Sequence, residues 1–262
     1  MTSDPRALLP ADLGARLDDG DRGAVGEWLR GEAERRARSD AEEARRWADR
    51  VAGAAWPDPL LRGYARWAVG IVRHLTGDAG AAARDLRGAA RELASCGRRE
   101  LADRASLLRI DALGEALELG AARRLARRLE RRFCERGDTV RAAVAVANLA
   151  GVEDAADRVR RAESLWRRAL PDLGPDGLRQ HLARANLANV AALAGRFDDA
   201  SRGHREVLER ARDEGLESLA RQAEVNLAEV EFAAGRVDAA LARWHRVLES
   251  AAAAGDELPA LV

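Results

Sequence analysis

Apolar positions between Leu182 and Gly215 fall into two stripes of helical spacing. Ala183, Leu187, Val190 and Ala194 make the first, and Ala200, His204, Val207, Leu208 and Ala211 make the second. The polar corner Gly195-Arg196-Phe197-Asp198 separates them, so the pattern predicts two antiparallel helices that bury one face each. The same pattern returns from Gln222 to Gly255. There Asn226-Leu227-Ala228 stands for Asn186-Leu187-Ala188, Gly235-Arg236-Val237-Asp238 for the corner, and Ala240 for Ala200.

Followed backwards, the alanine that opens each second helix recurs as Ala82, Ala122, Ala162, Ala200 and Ala240, a period of about forty residues. Fifteen residues after each stands a glycine, namely Gly97, Gly137, Gly177, Gly215 and Gly255, where a residue at positive φ is expected to stop the helix. The corner is less regular: Gly77, Gly195 and Gly235 are in phase, but Leu117 and Asp157 occupy the other two copies. A fixed period of this length is the signature of a helical repeat array, in which each hairpin buries its face only against its neighbours.

The repeats are expected at residues 60–97, 98–137, 138–177, 178–215 and 216–255, within an array spanning 56–255. Residues 1–55 read as an N-terminal cap, with a short helix around Ala11 to Leu17 and a divergent first hairpin carrying Val25, Trp28, Leu29, Trp47 and Val51. Trp56-Pro57-Asp58-Pro59 breaks the helix before the array, and Pro171 is expected to cut the fourth copy short. Residues 256–262 restart a first helix in phase and then stop on Leu258, Leu261 and Val262. That ending leads us to expect a longer protein, or a partner docked on the sixth hairpin.

Composition narrows the chemistry. Aromatic residues are only 4% of the 262, so alanine must do most of the packing, which suits close helix stacking. β-branched runs bounded by turns are absent, and the expected fold class is all-α. All 44 basic residues are arginine, which excludes a Walker lysine or a Schiff-base lysine. They are balanced by 44 acidic residues, so no global field favours nucleic acid or a membrane surface. Cys96 and Cys134 are isolated, and no secretory signal or membrane-length apolar run is visible, pointing to a cytoplasmic chain with reduced thiols.

Asn-Leu-Ala, a corner glycine, an alanine five residues on and a bulky residue four beyond resemble the tetratricopeptide repeat. Here those residues are Leu187, Ala188, Gly195, Ala200 and His204, then Leu227, Ala228, Gly235, Ala240 and Trp244. The family's early tryptophan is missing, with Arg184 and Glu224 in its place, and the period exceeds the family's usual one. The long period resembles arrays attached to CHAT-type caspase-like proteases and to bacterial signalling ATPases. The resemblance implies a right-handed superhelical solenoid of antiparallel hairpins, non-enzymatic and without cofactor, whose concave groove holds a protein or peptide segment.

Asn148, Asn186 and Asn226 stand in equal phase on three consecutive first helices, although asparagine is a poor helix residue. In the resembling family such amides hold a peptide backbone, so the groove is expected to comprise Asn148, Leu182, Asn186, Asn189, Leu193, Gln222, Asn226 and Glu229. An internal ladder of amides is the alternative. Arg123, Arg124, Arg127, Arg128, Arg131 and Arg132 crowd one helix and form either a solvated face or an anion patch. No exposed aromatics interleave with them to stack bases, and an RNA-binding solenoid that uses this arginine helix stands as a further alternative. His74, His181, His204 and His245 fall in unrelated phases, with no zinc-binding spacing and no nucleophile elbow. The array could also serve as the sensor or autoinhibitory arm of a larger enzyme, and a downstream domain of the same protein would then be its partner.

Overall fold

The computed structural model describes residues 4–174 and 177–254. Thirteen α-helices account for most of them: α1 Ala11–Asp18, α2 Arg22–Ser39, α3 Ala41–Gly53, α4 Pro59–Leu75, α5 Ala79–Ser95, α6 Arg99–Glu115, α7 Leu119–Glu135, α8 Thr139–Asp154, α9 Val159–Ala169, α10 Gly177–Leu193, α11 Phe197–Asp213, α12 Glu217–Ala233 and α13 Val237–Ala254. The chain divides into two compact units, Met1–Arg136 with α1–α7 and Gly137–Val262 with α8–α13. In each, consecutive helices pack side by side as a stack of hairpins. Among the described residues the fold is all-α and built from antiparallel helical hairpins.

Helices α2, α3, α4, α5 and α8 start where an aspartate meets orphan backbone N–H groups. Asp58 accepts from the Leu61 N–H at 3.0 Å, Asp78 from Ala81 at 3.1 Å and Asp138 from Arg141 at 3.0 Å, each cap worth ~1 kcal/mol. Pro59 follows Asp58 at the first helical position, where its missing N–H costs nothing.

The five corners share one backbone closure. Asp78 donates to the Arg73 carbonyl, Glu118 to Leu113, Arg158 to Glu153, Arg196 to Ala191 and Arg236 to Glu231, all at 2.8–2.9 Å. That bond demands a left-handed residue just before the donor. Gly77, Gly195 and Gly235 supply it at φ 74–88°, but Leu117 and Asp157 adopt φ 60° and 55° despite their side chains. The closure therefore overrides residue preference, at a steric cost of ~1 kcal/mol for the leucine.

Between hairpins, Gly97, Gly137 and Gly215 have positive φ as the sequence suggests, but Gly177 does not. It opens α10, and the left-handed turn falls on Gly174 at φ 82°. Pro171 has no N–H to continue α9, which stops at Ala169 and tightens into the 3-10 turn Leu170–Asp172. The turn comes three residues early as a result. Gly255 and residues 256–262, on which the restarted first helix was expected, lie outside the described residues.

The opening alanines Ala82, Ala122, Ala162, Ala200 and Ala240 are all 0% exposed, pressed between the helices of their hairpins. Charges also enter the packing, but in compensated sets. Asp103 of α6 is buried and meets Arg132 of α7 and Arg136, the residue just past its end, each at 2.8 Å. In the hairpin α10–α11 the same two phases carry His181 and Glu214, Nε2 to Oε1 at 3.1 Å. The seam is kept, with the acid moved from the first partner to the second.

Candidate binding face

In the second unit the first helices α8, α10 and α12 carry a row of residues in equivalent phase. On α10 the row is Leu178, Leu182, Asn186, Asn189 and Leu193, spaced four, four, three and four residues apart and so on one face. On α8 the same phase reads Val140, Val144, Asn148, Gly151 and Ala155, and on α12 Ser218, Gln222, Asn226, Glu229 and Ala233. α10 and α12 also touch directly. Every expected groove residue falls on this row.

Its leucines on α10 are open. Leu182 is 47% exposed and Leu193 66%, and Phe232, beside the row on α12, is 55% exposed although its ring rests 5.8 Å from Trp244. Burying the part of each still open is worth about half of the ~1.5–3 kcal/mol of a whole side chain, so the face has binding energy to offer.

The asparagines do not behave alike. Asn186 and Asn189 are half-buried and make no side-chain hydrogen bond among the described residues, leaving both amides available. Asn226 is buried and its Oδ1 accepts from Gln222 Nε2 at 2.9 Å, which fixes Gln222 on the open face. Asn148 is half-buried and has a partner of its own. Equal phase could not separate these cases, because the difference comes from Gln222, one turn earlier, where α10 has Leu182.

Beneath the α12 end lies a charge network. Glu224 receives Arg212 at 2.7 Å and Arg243 at 2.6 Å, and Arg243 also reaches Glu231 at 3.0 Å. Those carboxylates hold the Arg243 guanidinium charge more firmly than usual, chiefly through Glu231. The network ties α11, α12 and α13 together and consumes its own charge, so it presents no free ion to a ligand.

The arginine row on α7 is broken up by its surroundings. Arg132 is held by Asp103, and Arg123 has a partner, whereas Arg124, Arg127, Arg128 and Arg131 are at or near the surface. The histidines stay on four different helices. His74 Nδ1 lies 3.2 Å from Glu115, His181 faces Glu214, His204 is wholly buried and His245 is on the outer side of α13. Among the described residues no group of three His, Cys, Asp or Glu side chains could hold a metal ion, and no helix is long and apolar enough to cross a membrane.

No known protein-family profile matches the sequence, and no curated protein matches it significantly. Solved structures do match. Aspartyl phosphate phosphatase F from Bacillus subtilis aligns over 76% of this chain and 52% of its own, with 13% identity and a TM-score of 0.64. This chain therefore spans about half the length of that protein. A Podosopora anserina putative kinesin light chain, a set of nearly identical TPR-like repeats, aligns over 77% and 99% with 15% identity and a TM-score of 0.59. A Rap protein solved in complex with competence and sporulation factor aligns over 87% and 77% with 12% identity and a TM-score of 0.60. At such identities the likeness is one of fold, and the fold of this chain is that of the tetratricopeptide-like helical repeats.

Proposed function

We propose that this chain is a non-enzymatic interaction scaffold whose α8–α10–α12 face binds an extended protein or peptide segment. The observation that carries the reading is the α10 row, where two exposed leucines flank two asparagine amides that have no partner among the described residues. An extended backbone needs alternating donors and acceptors, and an asparagine amide offers both. Leu182, Leu193 and Phe232 would take its apolar side chains, while Gln222, braced by Asn226, and Glu229 would extend the polar contacts onto α12. First helices spaced ~8–10 Å apart let three of them span roughly 20 Å, or about six residues of extended ligand. A relative in fold, the Rap protein, was solved with competence and sporulation factor, which agrees with a binding role for such a stack.

The test is selection of a displayed random peptide library on the intact chain, followed by titration of the enriched peptides. Leu182→Glu and the double variant Asn186→Ala, Asn189→Ala should each weaken them by tenfold or more while leaving the circular dichroism melt in place. Peptides that bind both variants as well as the parent, or a library that yields none, would remove the face from consideration.

A further inference from the structure

The link between α3 and α4 walls off a cavity in the first unit. Trp56, in that link, is buried, and its indole Nε1 donates to the Val51 carbonyl at 2.9 Å. The ring so fixed lines a cavity of about 230 Å³ together with Val51 of α3 and Ala65 and Val69 of α4. All four residues are at most 7% exposed, so this wall is apolar and preformed.

Three charged side chains also line the cavity: Arg62 and Arg66 of α4 and Asp85 of α5. Asp85 is already taken by Arg73, and Arg62 stands 3.7 Å from Glu92. Of the three, only Arg66 has no ion pair or side-chain hydrogen bond among the described residues. Comparison of the hairpins shows what it lacks. In α10–α11 the same two phases carry Arg184 and Glu206, Nη1 to Oε1 3.8 Å apart. In α4–α5 they carry Arg66 and Gly88, so the acid has given way to the one residue without a side chain. The guanidinium occupies that space, for a Cβ on Gly88 would stand 2.5 Å from Arg66 Nη1, closer than real contacts allow. A glycine inside a helix is unfavourable relative to alanine, and here it lets an unpaired guanidinium lie against α5 beside an apolar wall.

From this juxtaposition of an apolar cavity with an arginine whose acid is missing, we infer that the cavity is a binding site for a short monocarboxylate with an apolar body. Arg66 takes the carboxylate, for which its planar fork is suited, and Arg62 adds a second positive charge. Trp56, Val51, Ala65 and Val69 receive the body. Sites for drug-sized molecules run to ~300–1,000 Å³, so the occupant is smaller than those. The site lies within the first unit and does not depend on the peptide face proposed for the second.

Calorimetric titration of the intact chain with isocaproate, isocaproamide and acetate, at neutral pH and constant ionic strength, tests this. Isocaproate should bind saturably. The amide, which lacks the charge, and acetate, which lacks the body, should each bind at least tenfold more weakly. Arg66→Gln should weaken isocaproate tenfold or more and leave the melt in place. Gly88→Ala separates binding from folding: alanine favours the helix, so the melting temperature should be no lower than the parent's, yet the added methyl displaces Arg66 and should weaken isocaproate several-fold. A short peptide ending in a free leucine carboxylate, run in parallel, separates the sources of the group. Affinity above that of isocaproate assigns it to a protein C-terminus, and equal or lower affinity to a free small acid. An absence of saturable isocaproate binding would overturn the site, as would an amide that binds equally well or an affinity indifferent to both variants.

Discussion

Acid should weaken the second unit through one residue, His204. Its side chain is 0% exposed, packed where α11 meets α10, and neither ring nitrogen has a hydrogen-bond partner. Burial alone pushes its pKa from the ordinary 6.5 down to about 4. The folded state therefore refuses a proton that the unfolded chain accepts. At pH 7 both states are largely neutral and the cost is small. As pH falls below 6.5 the unfolded state gains the proton first, and stability declines until the folded state titrates near pH 4. The interval between those two pKa values caps the loss at ~3 kcal/mol, and between pH 7 and pH 5 about 2 kcal/mol should already be gone. The control is His204→Leu, since Leu86 occupies the same phase in α5 and is fully buried there. Urea unfolding of both proteins at pH 7.5, 6.0 and 5.0 cancels every other titrating group to first order. The variant should be the more stable at pH 7.5 by ~1 kcal/mol, from relief of two unsatisfied ring nitrogens, and the gap should widen to about 3 kcal/mol at pH 5. A gap that stays constant with pH would refute the reasoning, because a histidine that protonates freely in the fold cannot be sealed as described.

The remaining expectations concern the repeat frame. Leu117→Gly should stabilise the first unit by ~0.5–1 kcal/mol in thermal or urea unfolding, since the corner closure holds Leu117 at φ 60°. Asp157→Gly should gain less because aspartate tolerates that region better, and a loss in both would show that the strain is absent. Ala200→Leu should overpack the α10–α11 seam and cost ~1–3 kcal/mol, and a melt identical to the parent's would mean that the seam is loose.

The period was legible because it rests on backbone requirements that only a few residues meet. The alanine at the head of each second helix and the glycine between most hairpins have steric reasons that single residues reveal. Gly177 misled because the glycine in phase was not the one that turns: Pro171 ended the helix first, and Gly174 was nearer. Leu117 and Asp157 were visible as departures, but not as residues forced into the glycine conformation, since the carbonyl that their closure serves lies four residues back. On the candidate face the row was readable from phase, but the state of each amide was not. Asn226 is quenched by Gln222 while Asn186 is not, a difference set by side-chain geometry across one turn. Arg109 carried a signal that phase alone could have raised, for Leu108-Arg109-Ile110 stands where three other repeats read Asn-Leu-Ala. That its Nε is buried without a partner is visible only once α6 is packed.

The inverted seam charges also bear on how a chain of such similar hairpins avoids joining the wrong halves. Helices of nearly equal length and the same alanine stripe could exchange partners with little loss of apolar contact. Asp103 with Arg136 and His181 with Glu214 act as a lock whose teeth are reversed between copies. A misassembled pairing of α6 with α11 would set Asp103 against Glu214, two carboxylates with no cation between them, and α10 with α7 would leave His181 and Arg136 with no carboxylate. Shuffled or recombined arrays of these hairpins should therefore succeed or fail by the polarity at these two positions, even where their apolar surfaces match.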